Sequence, residues 1–417
     1  MSCNWPLKRI SEVANFENNK RIPLKSLDRE KRQGIYPYYG ASGVVDHIDD
    51  FIFDGRYLLI SEDGENLRTR NTPIAFQASG KFWVNNHAHI LSEKEEGILD
   101  YLEYYFSVLN IGAYITGAVQ PKLNKANLDK IEIPIPPKDE RIKLNNILNS
   151  FKYKVALNSE TNQTLEQMAQ AIFKSWFVDF EPVKAKMNGE QPEGMDAATA
   201  SLFPEKFVES ELGLIPEGWE VSTLSSLIQL TGGGTPKRSE ETYWNGDIPW
   251  FSVRDVPSAS NVFVVDTEEK ITELGLKKSS TKLLPKGTTI ITARGTVGKL
   301  ALVGTDMCMN QSCYGIRGKD IGDYYNYFNL KEAVSTLQRN THGGVFDTIT
   351  TKTFDTYSMA FSGVELANKF DAIVAPLLQK IEANVRQNIE LATLRDTLLP
   401  NLLSGEIELK KLGGDNE

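Results

Sequence analysis

The chain has 417 residues, 46 Lys and Arg against 55 Asp and Glu, and 41% hydrophobic residues, a composition suited to two or three globular domains with real cores. A formal net charge of -9 excludes a globally positive surface, so any nucleic-acid contact must come from local basic patches. No apolar run approaches the roughly eighteen residues that cross a bilayer, and the start MSCNWPLKRISE lacks a signal-peptide stretch, which predicts a cytoplasmic protein without membrane contact.

In chain order, short strands broken by Gly and Pro come first, YPYYGASG (Tyr36 to Gly43) and YLLISEDG (Tyr57 to Gly64). A long helix follows Pro136-Pro137, then a connector rich in small and polar residues. More strands, DIPWFSV (Asp247 to Val253) and TTIITARGTVG (Thr288 to Gly298), precede a second long helix with a capping box of Ser362 and Glu365. This order is a repeat. An offset of 226 carries Gly117, Val119, Leu123, Leu128 and Asp129 onto Gly343, Val345, Ile349, Phe354 and Asp355, and continues through both helices to Ile172 and Leu398. At the start of each copy the offset is 214, Trp5 matching Trp219, so the middles differ in length. The expected architecture is α+β: two similar mixed domains over residues 1–136 and 218–361, helices at 137–180 and 362–403, a connector at 181–217 and a tail at 404–417.

The first helix places Leu148, Val155, Asn162 and Ala169 at heptad position a, and Phe151, Asn158, Leu165 and Ile172 at d. The second places Val374, Ile381, Asn388 and Arg395 at a, and Leu377, Asn384, Leu391 and Leu398 at d. If the two pair antiparallel about a pseudo-two-fold axis, facing residue numbers sum to 546, so Asn158 meets Asn388 and Asn162 meets Asn384, with Phe151 against Arg395 the one poor layer. Buried asparagine layers select a register because any slip leaves amides against Leu or Val. The antiparallel coiled coil implies a dumbbell whose helices, at 1.5 Å per residue, reach about 55 Å, or roughly one and a half turns of B-DNA.

No catalytic residues emerge. GTVGK (Gly295 to Lys299) resembles a phosphate loop, but Ala293 and Leu300 stand where that motif needs Gly and Ser or Thr. Cys3, Cys308 and Cys313 have no CxxC spacing, and His47, His87, His89 and His342 make no ligand pattern, so reduced thiols and no metal are expected. The Glu408-Leu409-Lys410 triplet lacks an acidic partner and reads as a solvated end. What remains are loops bearing the side chains that read nucleic acid. The candidates in the first domain are Lys20, Arg21, Lys25, Tyr36, Tyr38, Tyr39, Ser42, Arg68, Arg70, Gln120 and Lys122. In the second they are Thr235, Lys237, Arg238, Trp250, Ser252, Arg254, Arg294, Lys299, Gln311 and Ser312. Arg294 is the sharpest, since it follows an apolar strand and precedes a glycine that allows close backbone approach.

YPYYGASGVVDHIDDFIFDG (Tyr36 to Gly55), IFKSWFVDFEPVKAKMNGEQPEGMDAATASLFP (Ile172 to Pro204), ELGLIPEGWEV (Glu211 to Val221), GGGTPKRSEETYWNGDIPWFSVRDV (Gly232 to Val256), TARGTVG (Thr292 to Gly298) and LRDTLLPNLLSGEI (Leu394 to Ile407) follow in order. Over nearly its whole length the chain thereby resembles the specificity subunits of type I restriction-modification systems. The resemblance implies two target recognition domains, each reading one half of a bipartite, asymmetric sequence in double-stranded DNA, with the helices spanning the spacer. It implies two methylation subunits that bind S-adenosylmethionine, and restriction subunits that use ATP and Mg; no cofactor is implied for this chain, which would be a non-catalytic subunit. Two other readings share the domain plan: the recognition subunit of a related system cutting on both sides of its site, and a stand-alone two-headed DNA-binding regulator.

Overall fold

A computed structural model describes residues 5–258, 261–340 and 348–407. Cys3, His342, Gly343, Val345 and the Glu408–Lys410 triplet lie outside the described residues. The chain divides into two compact units, residues 1–153 with 391–417, and residues 154–390. Both long helices contribute to each unit. Among the described residues no helix is long and apolar enough to cross a membrane.

In the first unit, strands β1 (Ala14–Phe16), β2 (Gln33–Gly40), β3 (Gly43–Ile48), β4 (Phe53–Ser61), β5 (Ala75–Val84) and β6 (Ala88–Glu93) form one sheet in the order β1-β6-β4-β5-β2-β3. Helix α1 (Ile98–Val108) follows. Alternation along β4 explains its central place: Leu58 and Ile60 enter the main core with α1, whereas Leu59 faces a second cluster with Phe53, Phe82 and Ile90. A strand apolar on both faces has to be covered on both faces.

The second unit repeats this plan with β7 (Ile228–Gly232), β8 (Trp244–Phe251), β9 (Phe263–Val264), β10 (Lys270–Ile271), β11 (Thr289–Thr292), β12 (Leu300–Val303), β13 (Cys308–Met309) and β14 (Cys313–Gly318). Its main sheet has the order β7-β14-β11-β12-β9, with a smaller sheet β10-β8-β13. Again the central strand divides its side chains, Ile291 to one core and Ile290 to another. The duplication extends to single hydrogen-bonded registers: Leu7 pairs with Pro134 as Val221 pairs with Ala360, and Lys8 with Ile133 as Ser222 with Met359. Those are the 214 and 226 offsets meeting in one ladder. The connector is a folded element: Val183, Thr199 and Phe203 are buried, and Val183 and Phe203 join an aromatic core with Phe173, Trp176, Phe177 and Phe370.

Helices α2 (Lys138–Phe177) and α4 (Val364–Leu403), separated by α3 (Asp323–Asn340), each have 40 residues. In the first unit the start of α2 packs with the end of α4, Leu144 and Leu148 sharing a core with Leu399, Leu402 and Leu403. In the second unit Asn158 Nδ2 donates to Asn388 Oδ1 at 2.8 Å, and Asn384 Nδ2 donates to Asn162 Oδ1 at 2.8 Å. As the number rises on one helix it falls on the other, which is the antiparallel register the heptads predict. Two supports were not visible in the heptads: Asn158 also donates to Gln387 Oε1 at 2.9 Å, and Asn162 Nδ2 reaches Asn261 Oδ1 of the second domain at 3.2 Å. The poor layer is relieved because Arg395 turns outward to Asp396 at 2.7 Å. One expectation is corrected. Helix α4 begins one residue later than the capping box requires, after Gly363 at φ +86°, and the Ser362 hydroxyl donates to the Gly363 carbonyl at 3.4 Å instead of capping.

Asn384→Leu leaves the buried Asn162 carbonyl without a donor, so we expect a loss of about 1–3 kcal/mol in denaturant unfolding, partly recovered in Asn162→Leu/Asn384→Leu. An unmoved midpoint in the single variant would mean that this layer holds nothing.

Candidate nucleic-acid interface

Strand β4 ends at Ser61, opposite Ala88, and the chain then turns through Glu62, Asp63 and Gly64 at φ +108°. The Glu62 amide donates to the His87 carbonyl and the Glu62 carbonyl accepts from the Leu123 amide, both at 2.8 Å. The Ser61 hydroxyl holds the Ala41 carbonyl at 2.5 Å and the Gly64 amide the Pro121 carbonyl at 3.1 Å. Four loops therefore meet at one end of the sheet, and they carry Ser42, Arg68, Gln120 and Lys122, all exposed.

Glu62 organises this cluster. It pairs with Arg21 at 2.7 Å and Lys122 at 3.4 Å. Burial works to raise its carboxyl, but the Arg21 hydrogen bond and the charges of His89, Arg21 and Lys122 hold it below the usual glutamate range. Burial in turn lowers His89, whose Nε2 lies 2.7 Å from the Leu123 carbonyl. Arg21 further donates to the Ala88 carbonyl at 2.8 Å, so it is a structural strut. Arg68 donates to the Gly117 carbonyl at 2.8 Å, and Lys20 pairs with Glu17 at 2.8 Å.

The other first-domain candidates are not brought to this cluster. Tyr38 is fully buried and its hydroxyl accepts from the Leu24 amide at 2.9 Å. Tyr39 packs against Phe76 and Phe82, and Tyr36 against Phe51. Arg70 donates to the carbonyls of Phe106 and Leu109, while Lys25 is exposed at the start of a short helix.

In the second domain β11 ends at Thr292, opposite Cys313, and Ala293, Arg294 and Gly295 at φ +78° form the turn. The Ala293 amide donates to the Ser312 carbonyl at 2.8 Å, and the Gly234 amide to the Met309 carbonyl at 3.0 Å. Thr235 hydrogen-bonds Gln311, and the Lys299 amide donates to the Thr292 hydroxyl at 3.0 Å. Thr235, Arg294, Lys299, Gln311 and Ser312 thus share one loop cluster. Among the described residues the exposed Arg294 has no carboxylate partner. Lys237 is exposed beside the cluster.

Trp250 is core, its ring nitrogen donating to the Gly234 carbonyl at 3.0 Å. Arg238 pairs with Glu269, which raises Arg238 and lowers Glu269 through their hydrogen bond, and it stacks on Trp244 and Trp250 at 4.0 and 5.0 Å. Ser252 caps the turn at Val253–Asp255, and Arg254 lies 3.7 Å from Glu268. Burial pushes the Cys308 and Cys313 thiols up to about 11 and about 12, so both are inert at neutral pH. Two residues outside the expected set, Asp63 and His87, stand in the first cluster 2.9 Å apart. Their signal is the likeness of SEDG to TARG at the ends of the two central strands.

The family model for the type I restriction modification DNA specificity domain matches residues 3–167 and 216–361. The HindI specificity subunit of Haemophilus influenzae is 27% identical over 396 residues, covering 85% of this chain and 84% of the relative. The MjaIX specificity subunit of Methanocaldococcus jannaschii is 25% identical over 444 residues, covering 98% and 95%. The crystal structure of a type I S subunit from M. genitalium has the same fold, with a TM-score of 0.57 at 15% identity over 96% of each chain.

Glu62 contributes stability above the ordinary glutamate value of about 4.3, and that contribution is lost as pH falls through its lower folded value. Glu62→Gln is therefore expected to be less stable than the parent at pH 7, with the gap narrowing below about pH 4 in thermal unfolding. A gap that widens on acidification would contradict the assignment.

Proposed function

The chain belongs to the family of type I restriction-modification DNA specificity subunits, and from that membership we propose that each mixed domain reads one half of an asymmetric bipartite duplex site. The observation that carries this reading is the pair of loop clusters. Both close the same end of the same kind of sheet, yet they present different side chains, Arg68, Gln120 and Lys122 in one and Thr235, Arg294 and Gln311 in the other. Equal backbones with unequal hydrogen-bonding groups suit two unlike half-sites.

The long helices set the spacer. Forty residues reach about 60 Å, and the asparagine layers hold them in one register. Leu157 and Met168 are exposed on one face of α2, three turns apart, and offer apolar contact to a methylation subunit. That partner supplies S-adenosylmethionine chemistry, and restriction subunits supply ATP-dependent cleavage; this chain supplies the address. Because its charge is net negative and many of its cations are already paired, the isolated subunit binds DNA weakly and with steep salt dependence.

Mapping methylated adenines in cells carrying the subunit with its partners is expected to return one bipartite motif. Inserting four residues into both helices should lengthen its spacer by about one or two base pairs. A contiguous motif, or a spacer indifferent to the insertion, would defeat the reading.

A further inference from the structure

The turn after the central strand is the same structure in both domains, to the level of individual hydrogen bonds. Ser61 and Thr292 end β4 and β11 opposite Ala88 and Cys313. One residue on, the Glu62 and Ala293 amides donate to the carbonyls of His87 and Ser312. The Glu62 and Ala293 carbonyls accept from Leu123 and Ile349, which are themselves a pair at the repeat offset of 226. A left-handed glycine follows two residues later in each, Gly64 and Gly295. Asp63 is therefore the counterpart of Arg294, and His87 the counterpart of Ser312.

The chemistry at this shared position is opposite in sign. Arg294 offers only donors. In the first domain both oxygens of Asp63 lie 2.9 Å from His87 Nδ1. A carboxylate has no hydrogen to give, so Nδ1 carries a proton, and Nε2 is the ring's other hydrogen-bonding atom. The His87 side chain is 47% exposed while Asp63 is 15% exposed, and among the described residues nothing else engages Nε2. This is the arrangement of an exposed reading group and a half-buried orienter.

We propose that His87 is a specificity-determining residue of the first domain, positioned by Asp63 to accept a hydrogen bond from the exocyclic amino group of a base, adenine N6 or cytosine N4, in the major groove. Arg294, the counterpart of Asp63 in the second domain, donates to the acceptor edge of guanine. The two half-sites then differ in hydrogen-bond sense where the equivalent loop clusters meet them. This rests on the reading that both domains bind duplex DNA.

The test uses the complex of the full chain with its methylation partners and a panel of duplexes in which each base pair of both half-sites is varied in turn. Single-turnover methylation is the readout. His87→Ala should lose about tenfold of its discrimination at one adenine- or cytosine-bearing position of the first half-site and none in the second. Asp63→Asn should weaken discrimination at that same base pair, a selective change that a merely structural role would not produce. Arg294→Ala should relax a guanine position of the second half-site alone. His87→Gln repeats the measurement should the alanine variant assemble poorly. Undiminished discrimination in both His87 variants, a uniform loss across the panel, or relaxation confined to the second half-site would overturn the inference. A parent complex with no bipartite preference would instead remove the reading beneath it.

Discussion

The pairing of buried asparagines between the two long helices is the constraint on which the arrangement of the helical pair depends. Leucine or valine seams tolerate sliding by a turn, since one apolar layer resembles the next. Amides do not, because a shifted Asn158 or Asn384 would lose its partner inside a core where nothing replaces the hydrogen bond. Asn162 goes further by reaching Asn261 on the second domain, so the layer that sets register also braces that domain against the helix. On α4, Glu382 pairs with Lys286 of the second domain and Arg386 donates to the Gly304 carbonyl at 2.6 Å, which adds to this bracing.

The two mixed domains show how a duplicated backbone can be kept while its surface diverges. Ladder registers near the chain crossings and the turn after the central strand are conserved between copies because backbone groups must be paired wherever they are buried. Side chains at the loop cluster carry no such obligation. Asp63 and Arg294 can therefore occupy one backbone position with opposite charge, which is what a reader of two unlike sequences needs.

Buried or half-buried carboxylates account for much of the difference between a cation in the sequence and a cation available to DNA. Glu62 draws in Arg21 and Lys122, and Glu269 draws in Arg238. Each of these arginines also donates to backbone or stacks on tryptophan, so its plane and donors are committed to the fold. Arg294, by contrast, stands on a turn whose backbone is paired with Ser312 and Ile349, and its side chain has no structural task among the described residues.

By itself the sequence determined the duplication, the α+β character, the two long helices and their antiparallel register. Each of these follows from periodicity or from a constant offset between positions, and periodicity survives without knowledge of contacts. It did not determine which of Tyr38, Trp250, Arg21 or Arg70 would be consumed by packing and which of Ser42, Gln120 or Arg294 would face solvent. Nor did it bring Asp63 beside His87, 24 residues away, or show that Ser362 would leave its cap to Gly363. Those outcomes depend on which distant strand ends and loops come within hydrogen-bonding range, and only the closed sheet decides that.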